Sequence, residues 1–161
     1  MAKLTGKVAL ITGAAVGLGE GIATAYAKYG AKLCMVDLSP EVEKTAEKLR
    51  KEYNAEIVTC VANVADPEQM KAAAAKAAEA FGEVNIACCN AGVCRLAPFE
   101  EMTDAVRDFH IDVNIKGVWN TCKAVIPYML KQGGDGYAMF GTDNVKLLKD
   151  GVMIDNQVLI N

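Results

Sequence analysis

Apolar and polar positions fall in blocks along the chain. Lys7 to Thr12, Leu33 to Val36, Ile57 to Val61 and Val84 to Cys89 are short apolar runs rich in β-branched residues, and Asp37 closes the second. Runs that are apolar throughout, without alternation, predict strands buried on both faces of a sheet. The segments between them have helical composition. Leu18 to Tyr29 ends at Gly30, a good helix stop. Ser39-Pro40 starts a helix, with Ser39 as cap and Pro40 in the first helical position, that runs to about Tyr53. Asp66-Pro67-Glu68-Gln69 repeats the device, with Gln69 placed for a capping box. An alanine-rich helix then extends from Glu68 to Phe81 and stops at Gly82. A loop from Asn90 to Pro98 leads into helical sequence from Thr103 to Leu130, where Pro127 is expected to kink the end. Tyr137 to Phe140 reads as a fifth strand. Strand–helix alternation of this kind predicts an α/β domain: a doubly wound parallel sheet with helices on both faces. We assign residues 1–140 to that domain and residues 141–161 to a divergent tail, in which Lys149-Asp150-Gly151-Val152 reads as a turn between two short strands.

Composition narrows the class. A chain of 161 residues is one domain's length, enough to bury roughly 70% of its unfolded surface. A formal charge of −3 gives no electrostatic case for nucleic acid or an anionic membrane. No stretch approaches the ~18 apolar residues of a membrane span, and the N-terminal residues hold no signal-peptide core, so a cytoplasmic protein is expected. Six cysteines without a C-x-x-C pair, and a single histidine, argue against zinc. Cys34, Cys60, Cys88 and Cys89 lie in strand-like runs and are expected as reduced, buried thiols. His110 is expected to be structural, and Trp119 to pack in the core.

The candidate chemistry begins after the first strand. Gly13-Ala14-Ala15-Val16-Gly17-Leu18-Gly19 joins a strand to a helix. A pyrophosphate approaching that turn needs residues without a Cβ, and the helix start offers N–H groups and a positive dipole end. The spacing is G-x-x-x-G-x-G rather than G-x-G-x-x-G. Asp37 ends the second strand, where a carboxylate accepts from the adenosine ribose hydroxyls and repels the 2′-phosphate of NADP. No arginine or lysine follows in Leu38-Ser39-Pro40. Together these features predict a Rossmann-type fold and favour NAD over NADP.

Three motifs then carry a resemblance: Thr12-Gly13-x-x-x-Gly17-x-Gly19, Asn90-Ala91-Gly92 after the fourth strand, and Asn114 in Val113-Asn114-Ile115-Lys116-Gly117. In order and spacing, from about Leu4 to Gly136, the chain resembles the short-chain dehydrogenase/reductase family, in particular its bacterial oxidoreductases. The resemblance implies that Gly13, Gly17 and Gly19 line the pyrophosphate, with Leu18 contributing backbone. It implies that Asp37 binds the ribose, that Asn63 and Val64 flank the adenine, and that Asn90, Ala91 and Gly92 run under the cofactor riboses. Asn114 corresponds to the family's catalytic asparagine, which anchors a water in the proton relay. Asn63, Cys89 and Asn85 stand where the family has Asp, Asn and Asp, which removes charges and polar anchors near the sheet.

The resemblance also implies chemistry that this chain lacks. The family uses a serine after strand five and a Tyr-x-x-x-Lys pair, in which the lysine makes a phenol with a pKa near 10 useful at neutrality. Here Asp143 takes the serine position, Thr142 is one residue early, and no tyrosine has a lysine four residues on. Family members run to about 250 residues, so the fold is expected to be incomplete on its C-terminal side. The family's dimer and tetramer surfaces are expected to be missing with it. Two functions remain at this point. One is an NAD-dependent oxidoreductase by descent, acting on an alcohol or ketone in its complete form and inactive as this chain. The other is a non-catalytic nucleotide-binding or interaction module with an open sheet edge.

Overall fold

Each of the apolar runs forms a strand. In the computed structural model, which describes residues 3–131 together with backbone strands at 136–140, 144–149 and 152–154, these are β1 (Val8–Thr12), β2 (Lys32–Asp37), β3 (Ile57–Val61), β4 (Ile86–Cys89) and β5 (Gly136–Phe140). They are parallel and lie in the order β3-β2-β1-β4-β5. Two further strands, β6 (Asn144–Lys149) and β7 (Val152–Ile154), extend the sheet antiparallel beyond β5. The parallel sheet expected for residues 1–140 is present in β1 to β5, and β6 and β7 are the two short strands expected in the tail. The links are too short for a crossover, which needs a dozen or more residues, so only antiparallel pairing is open to these strands. The proposed turn residues Asp150 and Gly151, the Thr142 and Asp143 positions, and residues 155–161 lie outside the described residues.

Residues alternate between the two faces of the sheet, as a pleated strand requires. Ala9 and Ile11 of β1 face one core, with Leu33 and Met35, beneath helices α1 (Gly17–Lys28) and α2 (Glu41–Tyr53). Leu10 faces the other core, with Cys34, Val36 and Ala87, beneath α3 (Pro67–Phe81) and α5 (Gly117–Lys131). Leu10 and Ile11 are fully buried on opposite faces, and burial of each contributes about 1.5–3 kcal/mol. Ala73, Ala74 and Ala77 form the buried face of α3. Their small side chains let that helix lie close to the sheet.

The helix signals act largely as read, with shifts. Asp66 caps α3 by accepting from the N–H groups of Glu68 (2.9 Å) and Gln69 (3.2 Å), and Pro67 opens the helix. Gln69 does not close a capping box. Its side-chain carbonyl accepts from Asn63 N–H (2.8 Å), while the Asp66 N–H donates to the Asn63 carbonyl. The start of α2 is shifted by one residue: Pro40 is its N-cap rather than its first helical residue, and Ser39 Oγ, one position earlier, accepts from Glu41 N–H at 3.2 Å. The sequence expected as helical from Thr103 to Leu130 forms one unbroken run, residues 104–131, with a change of pitch inside it. Thr103 caps α4 (Asp104–His110), a π-helical stretch follows over Ile111–Lys116, and α5 continues through Pro127 to Lys131.

Several expectations about side chains are corrected. Trp119 is 69% exposed. Gly117, Thr121, Ala124 and Val125 form the buried face of α5, and Trp119, two residues from both Gly117 and Thr121, points away from it. Gly117 is needed on that face because a Cβ there would stand 2.6 Å from Val64 Cγ2. Cys60 is half-buried because β3 is an edge strand. Asn85 is not a lost anchor. Its side-chain oxygen accepts from Val8 N–H at 2.7 Å, and its own N–H donates to the Val8 carbonyl at 2.9 Å. The six cysteines are free thiols. Among the described residues, no helix is long and apolar enough to cross a membrane.

Candidate functional site

β2 lies on one flank of β1, and β4, reached from β3 through α3, lies on the other. At such a switch point the loops leaving the carboxyl ends of two strands diverge and open a crevice, the general ligand position in wound α/β sheets. Here the crevice is a cleft of about 550 Å³. Gly13, Leu18, Gly19, Asp37, Asn63, Val64, Asn90, Ala91 and Gly92 line it, nine of the eleven residues singled out from sequence. Gly17 and Asn114 stand outside the wall and act on it through their neighbours.

The glycine loop is shaped by steric need. Gly13 and Gly17 have φ of +66° and +64°, a region costly for any residue with a Cβ. A Cβ on Gly19 would lie 1.9 Å from the Gly13 carbonyl oxygen, and one on Gly13 would lie 2.9 Å from Ala91 Cα. The loop therefore folds flat against the first turn of α1 and against the β4 loop. Val16, at the α1 N-cap, supplies no capping oxygen. The first-turn N–H groups of this helix thus face the cleft mouth as donors suited to an anion.

Four polar side chains hold the cradle. Asn90 donates its Nδ2 hydrogens to the carbonyls of Thr12 (3.1 Å) and Gly13 (3.3 Å). The Thr12 hydroxyl accepts from Ala91 N–H (3.1 Å) and donates to the Cys88 carbonyl (3.3 Å). Asp37 spans the other wall. Its Oδ2 accepts from Ala15 N–H (2.9 Å) and its Oδ1 from Ser39 N–H (2.8 Å). Thr45 donates its hydroxyl hydrogen to the Ala15 carbonyl at 2.7 Å, completing that wall. Sequence reasoning missed Thr12 as a site residue. The available signal was a lone hydroxyl at the end of a buried strand.

The far wall is built by the long helical segment. Asn114 lies in its π-helical stretch and grips Val93 with both ends of its amide. Oδ1 accepts from Val93 N–H (2.8 Å), and Nδ2 donates to the Val93 carbonyl (2.9 Å). One turn earlier, His110 Nε2 accepts from Arg95 N–H at 2.8 Å, so His110 is structural, as expected. A π-turn widens the helix by one residue per turn and recurs at functional sites; here it aims Asn114 at the loop. Asn63 Oδ1 accepts from Ala65 N–H (3.0 Å), and Asn120 donates to the Val64 carbonyl (3.0 Å), fixing the loop after β3. Behind the cradle, burial and then the neighbouring Cys88 push the Tyr26 phenol upward, away from acid–base use at neutrality.

A glycine cradle at the switch point of a parallel sheet defines a Rossmann-type fold. The chain belongs to the short-chain dehydrogenase/reductase family: the family model for short chain dehydrogenases matches residues 7–137. It is similar to the oxidoreductase UcpA of Escherichia coli K12, 53% identical over 130 residues that make up 81% of this chain and 49% of that protein. It is also similar to the D-threitol dehydrogenase of Mycolicibacterium smegmatis, 42% identical over 82% of this chain and 51% of that one. The chain thus spans about half the length of the curated relatives it matches. Among solved structures it resembles carveol dehydrogenase from Mycobacterium avium in complex with NAD, with a TM-score of 0.81 and 33% identity over 86% of this chain and 55% of that one. An alcohol dehydrogenase from Thermococcus sibiricus complexed with 5-hydroxy-NADP gives a TM-score of 0.77 and 35% identity over 82% and 56%.

Proposed function

We propose that the cleft binds NAD, and that the chain carries the cofactor site of an oxidoreductase moving a hydride between NAD(H) and a small alcohol or ketone. The cofactor supplies the hydride chemistry, and the protein supplies position and a proton path. Gly13, Gly17 and Gly19, with the Leu18 backbone, take the pyrophosphate. Asn63 and Val64 border the adenine, while Asn90, Ala91 and Gly92 support the riboses. Asn114 keeps one Oδ1 lone pair and one N–H beyond its grip on Val93, enough to anchor a water for the proton path. A cytoplasmic location fits a chain of free thiols.

The observation that carries the choice of NAD is Asp37. Each of its oxygens accepts one backbone N–H and retains acceptor capacity for a ribose hydroxyl. Its charge opposes a 2′-phosphate, and Leu38, Ser39 and Pro40 offer no cation to offset it. Relatives in the family are found with either dinucleotide, so the preference rests on this residue. Titration calorimetry is expected to show NAD binding at least tenfold tighter than NADP, a difference of about 1.4 kcal/mol. Equal affinities would overturn the role given to Asp37.

A further inference from the structure

Cys89 ends β4 and Cys122 lies on α5, and their sulfur atoms face each other 3.8 Å apart. They are 33 residues apart in sequence, so packing of α5 against the sheet brings them together. Cys89 is buried and Cys122 half-buried. A thiol pair in contact, with one member open to solvent, has the arrangement that dithiol oxidation needs.

We propose that Cys89 and Cys122 form an oxidisable dithiol site that reacts with a peroxide and closes to a disulfide tying β4 to α5. The Cys122 thiolate attacks one peroxide oxygen, the O–O bond breaks, and hydroxide leaves. Cys122 becomes a sulfenic acid, oxidised by two electrons. The Cys89 sulfur then attacks the Cys122 sulfur, the S–O bond breaks, and the hydroxyl leaves as water with the Cys89 proton. Hydroxide takes the proton first released by Cys122. The sum is two thiols and one hydrogen peroxide giving one disulfide and two waters.

The order of events follows from the surroundings. Either sulfur can donate in that contact; the shared hydrogen bond lowers the Cys122 thiol, while the same contact and then burial push Cys89 upward. Cys122 is therefore the more accessible, thiolate-forming attacker and Cys89 the resolving thiol. Cys88 is unsuited to either part. It faces the opposite core, where its thiol donates to the Tyr26 hydroxyl (3.6 Å) and burial pushes it up to about 11. Bond formation needs the sulfurs to approach to about 2.05 Å, a movement within reach of side-chain rotation. It also places redox chemistry one residue from Asn90, which holds the glycine loop. None of this depends on dinucleotide binding.

The test treats the native full chain with a modest excess of hydrogen peroxide, blocks free thiols, and maps tryptic peptides without reduction. The fragment with Cys89 also carries Cys88 and Cys94, so variants assign the link. The expected result is a cross-linked peptide to the Cys122 fragment in the wild type and in Cys94→Ser. It disappears with dithiothreitol and is absent from Cys122→Ser. Cys89→Ser is expected to leave Cys122 as a trapped sulfenic acid. Should Cys89→Ser fail to fold, the half-exposed Cys122→Ser decides alone. A link that persists in Cys122→Ser, a Cys34–Cys60 link alone, or free Cys89 and Cys122 after treatment overturns the proposal.

Discussion

Gly19 and Gly21 sit two residues apart in α1, and their different surroundings give opposite expectations. A Cβ at 19 meets the Gly13 carbonyl oxygen at 1.9 Å, a backbone atom that no rotamer can move. A Cβ at 21 meets nothing within 4 Å. Gly19→Ala should therefore displace the cradle and weaken NAD binding tenfold or more in calorimetry, about 1.4 kcal/mol per decade. Gly21→Ala should leave binding unchanged and raise stability by about 0.5–1 kcal/mol in urea unfolding, since it removes backbone freedom from a helix interior. Equal binding by both variants would mean that the loop tolerates the shift. Glycine spacing was legible in the sequence at 13, 17 and 19 because the reason is local. Asn85 was misjudged because its value lies in a partner, Val8 N–H, 77 positions away in sequence. Thr12 was passed over for the same reason: its hydroxyl's partners, the Cys88 carbonyl in β4 and the Ala91 N–H just after it, lie 76 and 79 positions away.

At the scale of the element, α3 shows how far a start signal carries. The Asp66-Pro67 pair opens the helix as written, and Gly82 at φ +83° closes it. The Gln69 N–H first, with the Glu68 N–H and the Gln69 amide, holds the Asp66 carboxyl below its ordinary value despite some loss of solvation. A carboxyl with a folded pKa below its unfolded one binds protons more readily in the unfolded chain. Its contribution is thus full above the unfolded value of about 3.9 and is lost as pH falls through the lower folded value. Asp66→Asn keeps an oxygen cap but not the charge at the helix N-terminus. The urea midpoint of wild type should exceed that of Asp66→Asn at pH 7, and the gap should narrow progressively as pH falls below about 4. A gap constant with pH would remove the charge from the account. Element type was legible wherever the cue was periodicity or a cap. The π-stretch at Ile111–Lys116 carries no such cue, because nothing in the residues themselves reserves the extra position per turn. It arises where one helical segment must present His110 and Asn114 to the loop while α5 packs on the sheet. The antiparallel β6 and β7 were half legible: the two short strands were expected, their direction in the sheet was not.

At the scale of the whole molecule, the glycine cradle and the acid–base groups that could serve it lie apart. Among the described residues, the cleft wall holds neither a tyrosine nor a lysine. The tyrosine–lysine contact among them, Lys131 Nζ at 5.8 Å from the Tyr128 ring, sits at the end of α5, with Tyr128 packed against the α3-side core. No tyrosine anywhere in the sequence has a lysine four residues on. An isolated phenol, with a pKa near 10, is a poor proton donor or acceptor at neutrality. Binding and turnover should therefore separate. With NAD at about 100 times its dissociation constant, linkage adds about 2.7 kcal/mol to stability. For a chain of this size that raises the melting midpoint by about 5–10 °C. The same preparation, given NAD and a panel of secondary alcohols, should form no NADH above the protein-free rate. Steady NADH formation would show that another group on this chain moves the proton. An unmoved melting midpoint would instead strike at the cofactor site itself, because a cradle that gains no stability from its ligand does not bind it.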